Sequence, residues 1–228
     1  MAEILRLDTD PTLLVKRCRE VLAGGELLIV PTDTVYGLVA SVEIPDAVDK
    51  VFAAKGRDTD KALVVMVSSV EEALGLTVAE ERTILTRLGY LWPGALTLVV
   101  KAAALPWTAW VAPGSRTLGI RVPDDSFMLR LLAEYGPLAV TSANRAGERA
   151  TSSFADVDPG LLERVGLAVD GGEHGSGKPS TVTEIVGGRL RVLRSGDISE
   201  EKIRAAVSAG RIRGKSSRAG QELDGGRE

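Results

Sequence analysis

Hydroxyl, carboxyl and phenol groups are concentrated in residues 31–38, PTDTVYGL. The segment lies between two predicted strands, 26–30 and 36–42, where Thr34 can point at a ligand in the mouth of a cleft. A turn whose Thr and Asp side chains satisfy their own backbone is the alternative. The segment is therefore a candidate site for a ligand that exchanges hydrogen bonds with hydroxyl groups.

A basic segment, KGRDTDK, occupies residues 55–61 and follows a predicted helix. Lys55 and Lys61 each supply a point charge, and Arg57 supplies a bidentate fork, a combination that suits a triphosphate or a carboxylate. Two aspartates are interleaved with these cations, so a solvated, self-neutralising run is the alternative. If the segment faces a cleft, it predicts an anion site.

Ser142 and Asn144 directly follow a predicted buried strand, 138–141. Side chains at strand ends commonly bind ligands in α/β folds, and these two can hydrogen-bond phosphate oxygens or a nucleobase. Helix caps and turns are the ordinary alternative for both residue types. The pair is a second candidate site for a nucleotide.

A glycine-rich run at residues 171–181, GGEHGSGKPST, nearly matches a P-loop. Pro179 occupies the place of the magnesium-binding hydroxyl, and a predicted strand follows where a P-loop needs a helix. The P-loop interpretation is therefore rejected, although exposed amides and the Ser180 hydroxyl can hold an anion by another geometry. His174 is interpreted as an exposed loop residue.

Three further cations, Arg116, Arg121 and Arg194, lie within or beside predicted strands, where a buried guanidinium requires a partner. Each is a candidate contact for an anion, and a structural ion pair at a sheet edge is the alternative. The formal net charge of −3 provides no positive field over the whole chain. A polyanion must therefore meet a local cluster of Lys and Arg.

The composition limits the class of protein. Apolar residues make up 44% of the chain and charged residues 26%, which predicts a folded globular protein. The single cysteine, Cys18, lies at helical spacing among apolar residues and is interpreted as a buried, inert thiol. With one cysteine and one histidine, a Cys/His zinc site is excluded. No signal peptide or membrane-length apolar run occurs, so we expect a cytosolic protein with no membrane partner.

Strand and helix signals alternate along the chain. Asp10-Pro11 and Pro45-Asp46 each begin a predicted helix, and Gly24-Gly25 ends the first. The predicted strands are 4–7, 26–30, 36–42, 62–67, 95–101, 118–122, 138–141 and 167–170, with a hairpin of 181–185 and 191–194 turned at Gly187-Gly188. Further helices are predicted at 80–88, 125–135 and 199–209.

This mixture of helical connections and hairpins predicts an α/β protein with a twisted sheet of mixed direction and flanking helices. Residues 1–209 form a single domain in this interpretation. From residue 210 onward the chain has no apolar face to bury, so 210–228 is predicted to be a disordered polar tail.

Taken in order, these segments resemble the YrdC-type threonylcarbamoyl-AMP synthases. The matching pieces are PTDTVYGL at 31–38, Lys55-x-Arg57, WPG at 92–94, TLGIRVP at 117–123, Ser142-x-Asn144, Pro179-Ser180-Thr181 and Arg194-x-Gly196. The resemblance covers most of the predicted domain. It implies a YrdC-like fold, a twisted α/β sheet with a wide positive concavity, in the short form of the family that has one domain.

The resemblance implies a nucleotidyltransferase that converts L-threonine, bicarbonate and ATP into threonylcarbamoyl-AMP and pyrophosphate. That product supplies the threonylcarbamoyl group for modification of a tRNA adenosine, so tRNA and a downstream transferase complex are expected partners. Mg²⁺ is expected to arrive with ATP. The alternatives are a non-catalytic RNA-binding module that uses the same concave surface and a related carbamoyl transferase.

Roles for single residues follow from the same resemblance. The implied catalytic set is Lys55, Arg57, Ser142 and Asn144. The implied threonine site is Thr34, Arg121 and Ser180, with Arg121 suited to pair with the amino-acid carboxylate. The implied ATP contacts are Arg57, Lys61, Thr117, Ser142, Asn144 and Arg194. The chain departs from the family pattern at Ala62, where Pro is common, and at Met66, where some members carry His.

Overall fold

A computed structural model describes residues 2–56, 58, 61–186 and 189–216. Within that part of the chain, ten strands form one sheet. The strands are β1 (Glu3–Arg6), β2 (Leu28–Val30), β3 (Gly37–Ser41), β4 (Val64–Met66), β5 (Leu96–Lys101), β6 (Thr117–Arg121), β7 (Leu138–Ser142), β8 (Leu167–Asp170), β9 (Thr181–Val186) and β10 (Arg189–Arg194).

Helices flank this sheet. They are α1 (Pro11–Ala23), α2 (Pro45–Lys55), α3 (Val70–Gly75), α4 (Arg82–Leu88), α5 (Thr108–Val111), α6 (Ser126–Tyr135), α7 (Pro159–Leu162) and α8 (Glu200–Ser216). Single 3-10 turns lie at Ala79–Glu81, Gly89–Leu91 and Phe154–Asp156. Among the described residues, no helix combines the length and the apolar composition that a membrane span requires.

The strand order is β1-β8-β2-β3-β7-β4-β6-β5-β9-β10. The neighbours β1–β8, β8–β2, β4–β6 and β5–β9 are parallel. The remaining neighbours in the described sheet are antiparallel. The predicted fold class, an α/β sheet of mixed direction with flanking helices, is therefore confirmed.

The first helix begins and ends where its local signals predict. Asp10 Oδ1 accepts hydrogen bonds from the backbone N–H groups of Thr12 at 3.0 Å and Leu13 at 2.9 Å. Pro11 occupies the first helical position, where no N–H donor is needed. Beyond the helix, Gly25 has a φ of 71°, a left-handed conformation that favours glycine.

Each predicted strand is present in the sheet, with ends that differ from the prediction by at most about two residues. The turn predicted at Gly187-Gly188 lies outside the described residues. The predicted helix 80–88 begins as a 3-10 turn and becomes α4 at Arg82. The helices α3, α5 and α7 were missed because four to six residues are too few to show helical periodicity.

The last helix corrects a predicted boundary. α8 continues past the predicted end at residue 209 to Ser216, into the segment predicted to be a polar tail. The lack of an apolar face does not by itself end a helix, because its backbone hydrogen bonds are internal and Arg and Lys are good helix formers. Residues 217–228 lie outside the described residues, so their disorder and the division at 209 stay predictions.

Helices cover the two faces of the sheet unequally. Along β5, Leu96 and Leu98 join the larger core, while Thr97 points to the opposite face because side chains alternate across a strand. On that opposite face, α1 and α6 pack over β2, β3, β7 and β8. Their cover ends near β4, so the strands β4, β6, β5 and β9 form an open floor.

The thiol of Cys18 is buried between α1 and the sheet, as predicted, and burial raises its pKa to about 12. The thiol therefore stays protonated in the native protein at mildly alkaline pH, where only a thiolate reacts readily. We expect dithionitrobenzoate to label Cys18 in urea-unfolded protein and to leave the native protein unlabelled. Rapid stoichiometric labelling without urea would contradict this expectation.

Candidate functional site

A cavity of about 300 Å³ lies on the open half of the sheet. Its floor consists of alternate residues of β4, β5, β6 and β9, including Val64, Thr97 and Val182. Gly119 also lies on this floor, where a Cβ atom would come within 3.2 Å of Thr97 Cγ2. The missing side chain at this position therefore leaves room for a ligand to approach the backbone of the sheet.

The buried guanidinium of Arg121 lines this cavity. Arg121, at the end of β6, is 3% exposed, and its Nη2 donates to Asp33 Oδ1 at 2.6 Å. Its Nη1 donates to Thr34 Oγ1 at 2.9 Å, and its Nε donates to the backbone oxygen of Gly94 at 3.0 Å. Burial lowers the pKa of the guanidinium, and the Asp33 carboxylate opposes that shift. The structural ion pair considered for Arg121 is thus present, inside the cavity.

The loop 31–36 satisfies part of its own backbone and also reaches Arg121. Thr32 Oγ1 donates to the backbone oxygen of Val35 at 2.7 Å and accepts from the backbone N–H of Thr34 at 3.2 Å. The Thr34 hydroxyl lies 3.1 Å from Thr32 Oγ1 and accepts from the guanidinium. The loop therefore satisfies part of its own backbone and also places the Thr34 hydroxyl in the lining of the cavity, while a contact of Thr34 with a ligand stays a prediction.

Residues 171–180, which we name the strap, connect β8 to β9 and form another wall of the cavity. Tyr36 anchors its first residues, since the phenol donates to the backbone oxygen of Gly172 at 3.0 Å and accepts from the N–H of Gly171 at 3.0 Å. Burial raises the pKa of this phenol, which keeps it protonated. A strand follows the strap at Thr181, so the rejection of a P-loop is confirmed.

The middle of the strap lies against the loop 31–36. The backbone N–H of Ser176 donates to the oxygen of Asp33 at 3.1 Å, and that of Gly177 donates to the oxygen of Thr34 at 2.8 Å. Gly175 has a φ of 84°, and a Cβ atom there would lie 2.5 Å from a backbone oxygen of the loop. Glycine is needed at this position because the two chains approach so closely.

At the end of the strap, Ser180 contacts residues from two other strands. Its hydroxyl lies 2.8 Å from Thr97 Oγ1, and Arg194 Nη2 donates to the backbone oxygen of Ser180 at 2.8 Å. The same nitrogen lies 3.3 Å from Ser180 Oγ. The candidate threonine residue Ser180 and the candidate ATP residue Arg194 are therefore in direct contact.

Lys55, at the end of α2, supports the loop that follows β7. Its side chain is buried, and its ammonium donates to the backbone oxygens of Ser142 and Asn144. Backbone carbonyls are suitable acceptors, since a buried ammonium must be hydrogen-bonded. The sequence predicted that the Lys55 ammonium would face an anion, whereas these contacts are with backbone oxygens. A contact of Lys55 with a ligand stays a prediction.

The side chain of Asn144 stabilises a turn, which is the alternative role considered for this residue above. Its Nδ2 donates to the backbone oxygens of Arg145 and Glu148, each at 2.8 Å. Its Oδ1 is buried and has no hydrogen-bond partner in the part of the chain that the structure describes. An unsatisfied buried acceptor is unfavourable, so a donor on a bound ligand would stabilise this loop.

Most of the candidate residues line the cavity: Thr34, Thr117, Arg121, Ser142, Ser180 and Arg194. Lys61 is not among the described lining residues, and it forms an exposed ion pair with Asp58 at 3.0 Å. For Lys61, the structure therefore shows the alternative interpretation, a solvated run in which neighbouring charges neutralise each other. Arg57 lies outside the described residues, so its contacts stay predictions.

Sequence reasoning missed the hydroxyl of Thr97, which lies on the floor of the cavity against Ser180. The available signal was its position between Leu96 and Leu98, where a polar residue in an apolar strand marks the face away from the core. Among the described residues, no group of three or more His, Cys, Asp or Glu side chains could hold a metal ion. Arginines and hydroxyls thus line a cavity on the open half of an α/β sheet, a combination that suits a small anionic ligand.

Comparison with known proteins identifies the family. The Sua5_yciO_yrdC family model, described as telomere recombination, matches residues 20–196. The chain therefore belongs to the Sua5/YciO/YrdC family, and the predicted resemblance is confirmed. A threonylcarbamoyl-AMP synthase of Bacillus subtilis (strain 168) is 34% identical over 194 residues, which are 85% of this chain and 56% of that protein.

Two further relatives bear on the length and the fold. A Mycobacterium leprae protein is 37% identical over 183 residues, 80% of this chain and 82% of its own length. The structure of Pyrococcus abyssi Sua5 complexed with L-threonine has a TM-score of 0.80 and 29% identity, over 90% of this chain and 60% of that chain. The chain thus spans little more than half the length of the B. subtilis and P. abyssi relatives.

Proposed function

We propose that this chain is an L-threonylcarbamoyladenylate synthase that converts L-threonine, bicarbonate and ATP into threonylcarbamoyl-AMP and pyrophosphate. One observation carries the proposal: a buried arginine, Arg121, shares one cavity with the hydroxyls of Thr34 and Ser180. Membership of the family and the names of its relatives support the choice of reaction.

In the proposed reaction, the amino group of threonine condenses with bicarbonate and releases water to form a carbamate. A carbamate oxygen then attacks the α-phosphorus of ATP, and the bond from that phosphorus to the bridging oxygen of the β-phosphate breaks. Pyrophosphate leaves with the electron pair of that bond. Positioning and neutralisation of charge are sufficient for this transfer, so no nucleophilic side chain is required.

Arg121 would bind the threonine carboxylate. A guanidinium carries five N–H donors, and the contacts within the described residues use its Nε, Nη1 and Nη2 once each. These contacts leave one N–H group on each terminal nitrogen, from which the threonine carboxylate would accept. The hydroxyls of Thr34 and Ser180 would contact the polar groups of the same amino acid.

ATP would occupy the rest of the cavity and extend beyond it, because about 300 Å³ is at the lower end of the range for small-molecule sites. Thr117, Ser142 and Arg194 line that part and would contact the nucleotide. Asn144 and, as a further proposal, Arg57 and Lys61 would complete the contacts. Mg²⁺ would enter with the triphosphate, held mainly by phosphate oxygens and water.

The product would serve the modification of a tRNA adenosine. Under this proposal, threonylcarbamoyl-AMP passes to a transferase complex that acts on tRNA, and the cytosol is the expected compartment because ATP and tRNA meet there. Release of pyrophosphate from ATP that requires both threonine and bicarbonate would support the synthase reaction. Purified protein that releases none under these conditions would contradict it.

Replacement of Lys55 by alanine tests whether the supported loop belongs to the site. The change leaves the half-buried backbone oxygens of Ser142 and Asn144 without their ammonium partner, at a cost of about 1–3 kcal/mol for an unsatisfied group. We expect kcat/KM for pyrophosphate release to fall about 100-fold as the loop shifts. The control is Lys16→Ala, which removes only an exposed ion pair and should leave turnover unchanged. Equal turnover in both variants would exclude the loop from the site.

A further inference from the structure

His174, in the strap, is paired with a buried carboxylate. Its Nε2 lies 2.7 Å from Asp125 Oδ2, and Asp125 is 7% exposed while the imidazole is 26% exposed. An ionised carboxylate only accepts hydrogen bonds, so Nε2 is the donor. The predicted exposed loop residue is therefore half-buried and held by a specific partner.

The two carboxylate oxygens of Asp125 make different contacts. Oδ1 accepts from the backbone N–H of Met128 at 2.8 Å and caps α6, while Oδ2 faces His174. Asp125 is also close in sequence to Arg121, since only three residues separate them. The contact between the His174 imidazole and Asp125 therefore links the strap to the segment between β6 and α6. That segment follows directly after the buried Arg121.

The strap needs such ties because its ends lie far apart. Seven strand-to-strand steps separate β8 from β9 in the sheet. The strap crosses these strands with bends, since Gly172, Gly175 and Gly177 each have a positive φ. Its contacts with neighbouring segments therefore determine its course.

These contacts close a ring around the candidate threonine site. Arg121 binds Asp33 and Thr34 through its side chain, and the strap binds the same two residues through its backbone. The pair of His174 and Asp125 connects the strap back to the segment after Arg121. Within the described residues, these contacts link the arginine, the Thr34 hydroxyl and the strap that ends in Ser180.

We propose that His174 is a positioning residue for the amino-acid part of the site, an inference that rests on the proposed synthase function. Loss of the imidazole does not release the whole strap, since the backbone N–H of His174 still donates to the oxygen of Ser152 at 2.8 Å. Loss of the imidazole removes the side-chain contact between the strap and Asp125, which caps α6. The strap and Ser180 can then shift relative to Arg121. Threonine binding weakens, while the nucleotide contacts at Thr117 and Ser142 remain.

The experiment compares wild type, His174→Ala and His174→Gln by calorimetric titration with L-threonine and by KM for threonine and ATP. For His174→Ala we expect the dissociation constant and KM for threonine to rise about tenfold, as for the loss of one hydrogen bond to a charged group. We expect kcat at saturating threonine to stay close to that of wild type. KM for ATP should rise much less than KM for threonine, because Arg194, which contacts Ser180, is only one of the proposed nucleotide contacts. His174→Gln, whose amide N–H can reach Asp125, should recover most of the threonine affinity.

Two matched variants complete the design. Asp125→Asn keeps an oxygen for the cap of α6 and changes the group that faces His174, so it should weaken threonine binding without unfolding the helix. Arg6→Ala removes only an exposed ion pair and should bind threonine like wild type. Unchanged threonine affinity in His174→Ala, an equal rise in both KM values or failure of glutamine to rescue would overturn the inference alone. Wild-type protein that binds no threonine would overturn the proposed function, and the inference with it.

Discussion

Replacement of Arg121 by alanine is expected to lower the free energy of unfolding by about 3–5 kcal/mol and to reduce threonine-dependent turnover at least about 1000-fold. The stability loss follows because Asp33, largely buried, would lose the guanidinium 2.6 Å away. The activity loss follows because the proposed partner of the threonine carboxylate would be gone. Urea unfolding followed by tryptophan fluorescence measures the first effect, and pyrophosphate release measures the second.

A double variant separates these two effects. Arg121→Ala combined with Asp33→Ala removes both charges, so the free energy of unfolding should partly recover while turnover stays low. The backbone oxygen of Asp33 still accepts from Ser176, so the contact with the strap persists in the double variant. Turnover that recovers together with stability would show that Arg121 acts only as a structural partner of Asp33.

Replacement of Gly196 by alanine is expected to destabilise the protein by about 3 kcal/mol and to lower turnover about 100-fold, because a tightly packed backbone cannot accept an added atom without moving. A Cβ atom at Gly196 would lie 2.2 Å from the backbone oxygen of Pro179 and 2.5 Å from the carbonyl carbon of Ser180. The backbone N–H of Asp197 also donates to the oxygen of Pro179 at 3.0 Å. Relief of the clash therefore displaces Ser180 from the cavity.

Gly75→Ala is the matched control for this substitution. Gly75 is the last residue of α3, and a Cβ atom there would meet no atom within 4 Å. We expect this variant to be as stable as wild type or up to about 1 kcal/mol more stable, because alanine favours the helix. Thermal unfolding and pyrophosphate release of the two variants provide the comparison. A Gly196→Ala protein with wild-type stability would show that the segment after β10 can move away from the strap.

Local signals were sufficient to predict most elements of the fold. The cap at Asp10 and the proline at Pro45 begin helices through interactions within one turn, so a single sequence contains the information. The order of the strands was not predictable in this way. β9 pairs with β5, not with the preceding strand β8, because pairing depends on how the whole sheet packs.

In the candidate site, too, the sequence predicted some features and only the structure showed others. The order of the motifs identified the family and named six residues that line the cavity, since residue type and sequence position are enough for such a match. The sequence did not indicate that Lys55 supports the loop after β7, or that His174 meets Asp125 across 49 residues. Arg121 likewise meets Asp33 across 88 residues. The residue types, most of the elements and the family were thus determined by the sequence alone. The contacts that position the site were decided only by the tertiary structure, because they depend on which distant segments the sheet brings together.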